Sequence, residues 1–227
     1  RNDSFLPNST KIEFVVWKGS YEPANQSTVT LTAPDQTLSC ITNSSGYCYV
    51  VYNPANNLSV GPELLQAKAS GIPGWQDSET ENITLTLKGK LFVTIEEPAE
   101  NQILQRNKSY SLKVNVTDEL SEVIGDANIT WINESLEVIA SDGTIQSWLV
   151  PKDYPLGKEN LTAIASKEYY DNSSSKRSVY IYGNAKVEYV SPKNSKEGYY
   201  EYGDGVANIV CKVIDKDNGY PLENYEV

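Results

Sequence analysis

Twelve of the twenty asparagines open an Asn-x-Ser/Thr triplet in which x is not proline, so twelve side-chain amides could accept an N-linked glycan. They are Asn2, Asn8, Asn25, Asn43, Asn57, Asn82, Asn107, Asn115, Asn128, Asn133, Asn160 and Asn172. Ser and Thr fill 37 of 227 positions, so chance would put only about three asparagines in that context. The excess points to a secreted chain with a sugar-coated surface. Alternation supports this: in Lys113-Val114-Asn115-Val116-Thr117 the valines take one face of a strand and Asn115 the other, and Asn82, Asn128 and Asn160 sit in runs of the same kind.

The remaining chemistry is sparse. There is no histidine, which excludes Ser-His-Asp and Cys-His nucleophile systems and any His-ligated metal. No phosphate-cradling loop or dinucleotide fingerprint occurs. Glu96 and Glu97 are adjacent, but neighbouring strand residues point to opposite faces and cannot converge on one bond. The run Asp215-Lys216-Asp217-Asn218-Gly219 spaces two carboxylates ahead of a glycine, as a calcium loop does, yet it lacks the distal glutamate. An Asn-Gly hairpin turn accounts for it more simply. Carboxylates near Glu96, Glu97 and Asp118 offer a second place for calcium, between domains. The chain is therefore expected to be no enzyme and to carry no cofactor, covalent glycans apart, with calcium the one candidate ion.

Three cysteines are present. Cys40 and Cys48 flank a turn-rich loop between two β-like runs, and a disulfide across that hairpin is expected in an oxidising compartment. Cys211, in Ile209-Val210-Cys211-Lys212-Val213, is expected to be a buried apolar residue. The net charge of −11 disfavours nucleic acid and anionic lipid as partners. No stretch is apolar for long enough to insert in a membrane. Among the aromatics, Trp17, Trp131 and Trp148 read as core, while Trp75 lies in the loop Gly71-Ile72-Pro73-Gly74-Trp75 and is a candidate contact residue. Tyr169, Tyr170, Tyr199, Tyr200 and Tyr202 suit sandwich ends and domain junctions, or a platform for a sugar or protein ligand.

The elements that must carry these residues are short strands. Gly61–Ser70 and Gly157–Ser166 both read G-x-E-x-L-x-A-x-A-S, 96 positions apart. Leu85, Leu87, Gly89, Val93, Ile95 and Pro98 recur as Val179, Ile181, Gly183, Val187, Tyr189 and Pro192 at a constant offset of 94. Strand, glycine turn and strand therefore meet twice at a domain junction. Turn residues spread along the chain and no sustained 3.6-residue period exclude helices. About seven short strands per repeat predict an aligned two-sheet sandwich of the immunoglobulin-like type. The expected fold is all-β, a tandem array of immunoglobulin-like sandwiches at residues 1–89, 90–183 and 184–227. By the offset, the first is expected to lack its opening strand and the third to stop after its second or third.

Read this way, the chain resembles the Ig-like repeats of prokaryotic, in particular archaeal, cell-surface, surface-layer and extracellular filament proteins. The hairpin Val213–Val227 is similar to their V-x-D-x-x-G-x-P-L-x-N-x-x-V pattern, and Tyr154-Pro155-Leu156-Gly157 to a second recurrent segment. The resemblance implies an extracellular, cell-surface location and association with neighbouring domains or copies of the same protein, self-assembly included. It fixes no ligand. An adhesin or carbohydrate-binding array, and an accessory region of a large secreted hydrolase, are the alternatives.

Overall fold

The computed structural model describes residues 9–55, 58–191 and 210–223, and among these there are strands and turns but no helix. They form two compact units. Unit 1 takes the described residues of Arg1–Phe92, Thr117–Ile124 and Ser166–Ser173; unit 2 takes those of Val93–Val116, Gly125–Ala165 and Ser174–Val227. The fold is all-β and immunoglobulin-like: in each unit two sheets close on one core.

In unit 1, β1 (Thr10–Val15) pairs antiparallel with β6 (Tyr47–Tyr52), from Thr10↔Tyr52 to Val15↔Tyr47. The second sheet runs β5-β4-β7-β8, formed by β4 (Thr28–Thr32), β5 (Thr37–Ile41), β7 (Gly61–Ser70) and β8 (Glu81–Leu87). Alternation decides which side chains meet. Leu31, Leu65 and Ala67 from one sheet and Val50 and Tyr52 from the other are buried in a single cluster, while Thr30, Gln66 and Tyr49 turn away. The buried Tyr52 hydroxyl donates to Asp35 Oδ1 at 2.9 Å, and Asp35 Oδ2 accepts the Ala55 N–H at 2.8 Å, so that polar end is satisfied. A small hairpin of β2 (Trp17–Lys18) and β3 (Glu22–Pro23) follows β1.

Unit 2 repeats the plan. Its larger sheet runs β10-β17-β15-β12-β13, with β10 (Gln102–Gln105), β12 (Asn128–Ile132), β13 (Val138–Ser141), β15 (Gly157–Ser166) and β17 (Ser173–Tyr182). Opposite it lie β14 (Ile145–Leu149), β11 (Ser109–Asp118) and β9 (Gly89–Glu97), in that order. Leu104, Leu112, Ile129, Trp131, Leu161, Val179 and Ile181 are fully buried between them. The Trp148 ring meets Tyr154 edge-on, with centroids 5.3 Å apart. Two more strands, β18 (Ala185–Ser191) and β19 (Val210–Asp215), pair antiparallel with each other.

The correspondence is strand for strand. The order β5-β4-β7-β8 is matched by β13-β12-β15-β17, and β1-β6 by β11-β14. The corresponding strands β7 and β15 each open on a glycine, Gly61 and Gly157, with φ of 123° and 117°, a backbone region that a side chain would strain. Gly89 is fixed for another reason. β16 (Tyr170–Asp171) pairs in parallel with Gly89 and Lys90, and a Cβ on Gly89 would lie 2.5 Å from the Tyr170 ring. Tyr169 and Tyr170 thus cover the Gly61 and Gly89 backbones, while Tyr199, Tyr200 and Tyr202 lie outside the described residues.

Candidate functional site

Nine of the twelve sequon asparagines fall among the described residues; Asn2, Asn8 and Asn57 do not. Asn25, Asn43, Asn82, Asn107, Asn128 and Asn172 are exposed, and Asn115 and Asn160 half-buried. The local pattern explains this. Asn128, at the start of β12, stands between Ala127 and Ile129, which both point into the unit 2 core. In the loop from β5 to β6, Asn43 Oδ1 accepts the Ser45 N–H at 3.0 Å and the Tyr47 N–H at 3.1 Å, so its oxygen shapes the turn and not the nitrogen a glycan would take. Asn160 Oδ1 accepts the Ser178 hydroxyl at 2.8 Å.

Asn133 departs from the expectation of an outward amide. It is only 4% exposed, and its Nδ2 donates to Glu137 Oε2 at 2.9 Å while its Oδ1 accepts the Glu137 N–H at 2.8 Å. The side chain closes the turn after β12 from inside, because residue 133 shares the inward phase of Ile129 and Trp131.

Cys40 and Cys48 are bonded, with S–S 2.16 Å and Cα–Cα 5.9 Å. The bond does more than close a hairpin. Cys40 lies on β5 and Cys48 on β6, which belong to different sheets, so the disulfide ties the two layers of unit 1 together beside Val29 and Ala69. Cys211 is free and exposed, against the expectation of burial; only the later part of β19, with Val213 and Asp215, packs inward.

The outer face of the β1-β6 sheet is aromatic and charged. Lys11 Nζ lies 4.5 Å from the Tyr49 ring centroid and forms an ion pair with Glu13, which also accepts the Tyr47 hydroxyl at 2.7 Å. The hydrogen bond from Lys11 and then that from Tyr47 hold the Glu13 carboxyl below its usual pKa, and the bonds of Lys11 to Glu13 and then to Tyr47 raise that of Lys11. Trp17 ends this face at 52% exposure, contrary to its expected place in the core, whereas Trp131 and Trp148 are buried as expected. Trp75 is 53% exposed, and its ring lies beside Gly19, where a Cβ would come 3.6 Å from it.

The acidic turn that resembles a calcium loop is engaged by the protein itself. Asp215 and Arg106 form an ion pair of 2.7 Å, with side chains only 7% and 8% exposed. Arg106 Nε also donates to the Tyr154 carbonyl at 2.5 Å. Asp215 Oδ1 accepts the Asp217 N–H at 2.9 Å and Oδ2 the Asn218 amide at 3.0 Å, and Gly219, with φ of 79°, carries the turn. Burial, the largest influence, pushes the nearby Tyr154 hydroxyl up to about 12. Glu96 pairs with Lys113 at 2.8 Å, and Asp118 Oδ1 accepts the N–H groups of Leu120 and Glu122. Among the described residues, no three His, Cys, Asp or Glu side chains converge as a metal-binding group, and no helix is long and apolar enough to cross a membrane.

No family model and no curated protein matches the sequence. Solved structures do. The chain is 17% identical to fibronectin(III)-like modules of Clostridium thermocellum CbhA, over 75% of this chain and 85% of that one, with a TM-score of 0.36. Against immunoglobulin domains 1–5 of Sidekick-1 the identity is 12% and the TM-score 0.42, over 83% of this chain and 42% of that one. Against a two-domain fibronectin type III segment of chicken tenascin they are 13% and 0.36, over 75% and 93%. The assignment of the fold stands on the strand order and shared cores of the two units.

Proposed function

We propose that the chain is a non-catalytic structural module of a heavily N-glycosylated extracellular surface protein, an arm or subunit of a surface layer or filament, with sandwich domains at 1–89, 90–183 and 184–227. The observation that carries this reading is the placement of the sequons. Six of the nine described ones are exposed, on loops or strand positions whose neighbours fill the cores, so sugars there would coat the surface without disturbing the packing. The inter-sheet disulfide supports an oxidising compartment. Glycans would also mask exposed strand edges from unwanted pairing.

Intact-mass measurement before and after enzymatic deglycosylation, on protein from a glycosylating host, tests the reading. Modification is expected at Asn25, Asn43, Asn82, Asn107, Asn128 and Asn172, and none at Asn133 if folding precedes transfer. Loss of only one or two glycans would contradict the coat.

Exposure of Trp17 and Trp75 favours a second reading, an adhesin or carbohydrate-binding array. Glycan-array binding that disappears in Trp75→Ala would support it, and an array without signal would remove it.

A further inference from the structure

β14 is the outer strand of its sheet in unit 2, with β11 on one side and no strand on the other among the described residues. Its own ladder fixes what the free side offers. Val114 donates its N–H to the Thr144 carbonyl and Val150 its N–H to the Lys108 carbonyl, both at 3.0 Å, so the even-numbered residues of β14 bond β11. The main-chain groups of Ile145, Ser147 and Leu149 therefore point out along the open edge. The side chains of the same three residues are exposed, Ile145 at 66% and Leu149 at 57%.

Edge strands are ordinarily guarded by charge, proline or a bulge. The run Thr144-Ile145-Gln146-Ser147-Trp148-Leu149-Val150 has no charged residue and no proline, and its register against β11 is unbroken from Lys113↔Ile145 to Ser109↔Leu149. The run is also self-complementary. Laid antiparallel on a second copy about Ser147, Ile145 meets Leu149 and Ser147 meets Ser147, all at positions whose main-chain groups face the edge. Past the ends of the strand, Asp142 then faces Lys152 of the second copy, and symmetry forms this pair twice; both side chains are exposed. A slip to the next bonding register takes Asp142 off Lys152, so the charges select this one. β6, the counterpart in unit 1, closely follows the exposed sequon Asn43 and has no charged residue at either end to choose a register.

We propose that two copies of the chain join β14 to β14, antiparallel about Ser147, so that their β9-β11-β14 layers continue as one sheet. Main-chain hydrogen bonds along the edge supply affinity, while the Ile145–Leu149 contacts and the Asp142–Lys152 pairs supply register. The same surface serves both copies, so the contact closes on itself as a two-fold dimer. No sequon lies between Asn133 and Asn160, and Asn107 and Asn115 are level with Pro151 and Gly143, outside the run Ile145–Leu149. The proposal deepens the structural-module reading and rests on it for copies being held close together. The two fail separately, because a missing glycan coat leaves the contact standing and a missing dimer leaves the coat.

Sedimentation velocity of the whole chain, glycosylated and enzymatically deglycosylated, tests it. A monomer–dimer equilibrium is expected in both forms. Ser147→Lys and Ser147→Glu each put two like charges on the two-fold axis and should weaken dimerisation roughly tenfold. An equimolar mixture of the two variants should dimerise at least as well as the parent, because lysine then faces glutamate. Residue 147 is exposed and has no part in the core, and circular dichroism verifies that both variants fold. A chain that stays monomeric up to the highest soluble concentration would overturn the proposal. So would dimers indifferent to both substitutions, a mixture no more associated than its components, or association that appears only once the glycans are removed.

Discussion

The Arg106–Asp215 pair joins residues 109 positions apart, and its burial makes a sharp prediction. Asp215→Asn keeps an oxygen for the Asp217 N–H but leaves the guanidinium without its counter-charge, in a place where both side chains are more than nine-tenths buried. An uncompensated buried charge costs about 3–5 kcal/mol. Arg106→Met should cost a similar amount, since the carboxylate would keep only the Asp217 N–H and the Asn218 amide. The double variant leaves no buried charge and should recover to within roughly 1 kcal/mol of the parent, because a buried pair exchanged for neutral groups of similar volume is often close to neutral. Urea unfolding followed by tryptophan fluorescence provides the assay: Trp131 and Trp148 are buried in unit 2, while Trp17 and Trp75 in unit 1 are already half exposed and change less. Single variants that lose less than about 1 kcal/mol, as a solvent-exposed pair would, refute the reasoning.

Three further outcomes follow from the same structure. The Tyr154 hydroxyl has its pKa raised to about 12 against an ordinary value near 10, so its contribution is intact below pH 10 and is lost as pH rises towards 12. Unfolding free energy should fall by up to about 3 kcal/mol over that window, and Tyr154→Phe should make the alkaline limb shallower, Tyr52 contributing the rest. Reduction of Cys40–Cys48, with a sequence separation of 8, should destabilise unit 1 by about 2–3 kcal/mol and leave the unit 2 transition unmoved, as read by calorimetry with and without reductant. Gly46→Ala should be among the most damaging loop changes, losing more than about 2 kcal/mol in thermal melts, because φ is 73° and the new Cβ would collide with the Val16 carbonyl oxygen.

Alternation made most of the fold legible. Two-residue periodicity located the strands, and the repeated glycines and G-x-E-x-L-x-A-x-A-S segments anticipated that β7 and β15 are equivalent. Phase was harder to place at strand ends. Trp17 reads as an inward or half-buried strand position, yet Ile12, Phe14 and Val16 hold the inward phase and residue 17 faces out. The sequon asparagine Asn133 shares the phase of Ile129 and Trp131 and is buried with them. Cys211 had the inward phase and is exposed, because a strand buries only the residues that another layer covers. No periodicity could have found Arg106 opposite Asp215, or shown that the chain changes sheets between Cys40 and Cys48; both depend on how the sheets stack.

The pairing of β10 with β17 has a mechanical consequence. These strands run parallel, from Gln102↔Val179 to Gln105↔Tyr182, although they are far apart in the sequence. A pull on the chain entering β10 and leaving β17 drags the two strands past each other along their length. The rungs between them are then loaded in shear and must give way together, whereas a hairpin pulled from its open end unzips one rung at a time. A pull along these strands is therefore expected to need more force than the equilibrium stability alone implies.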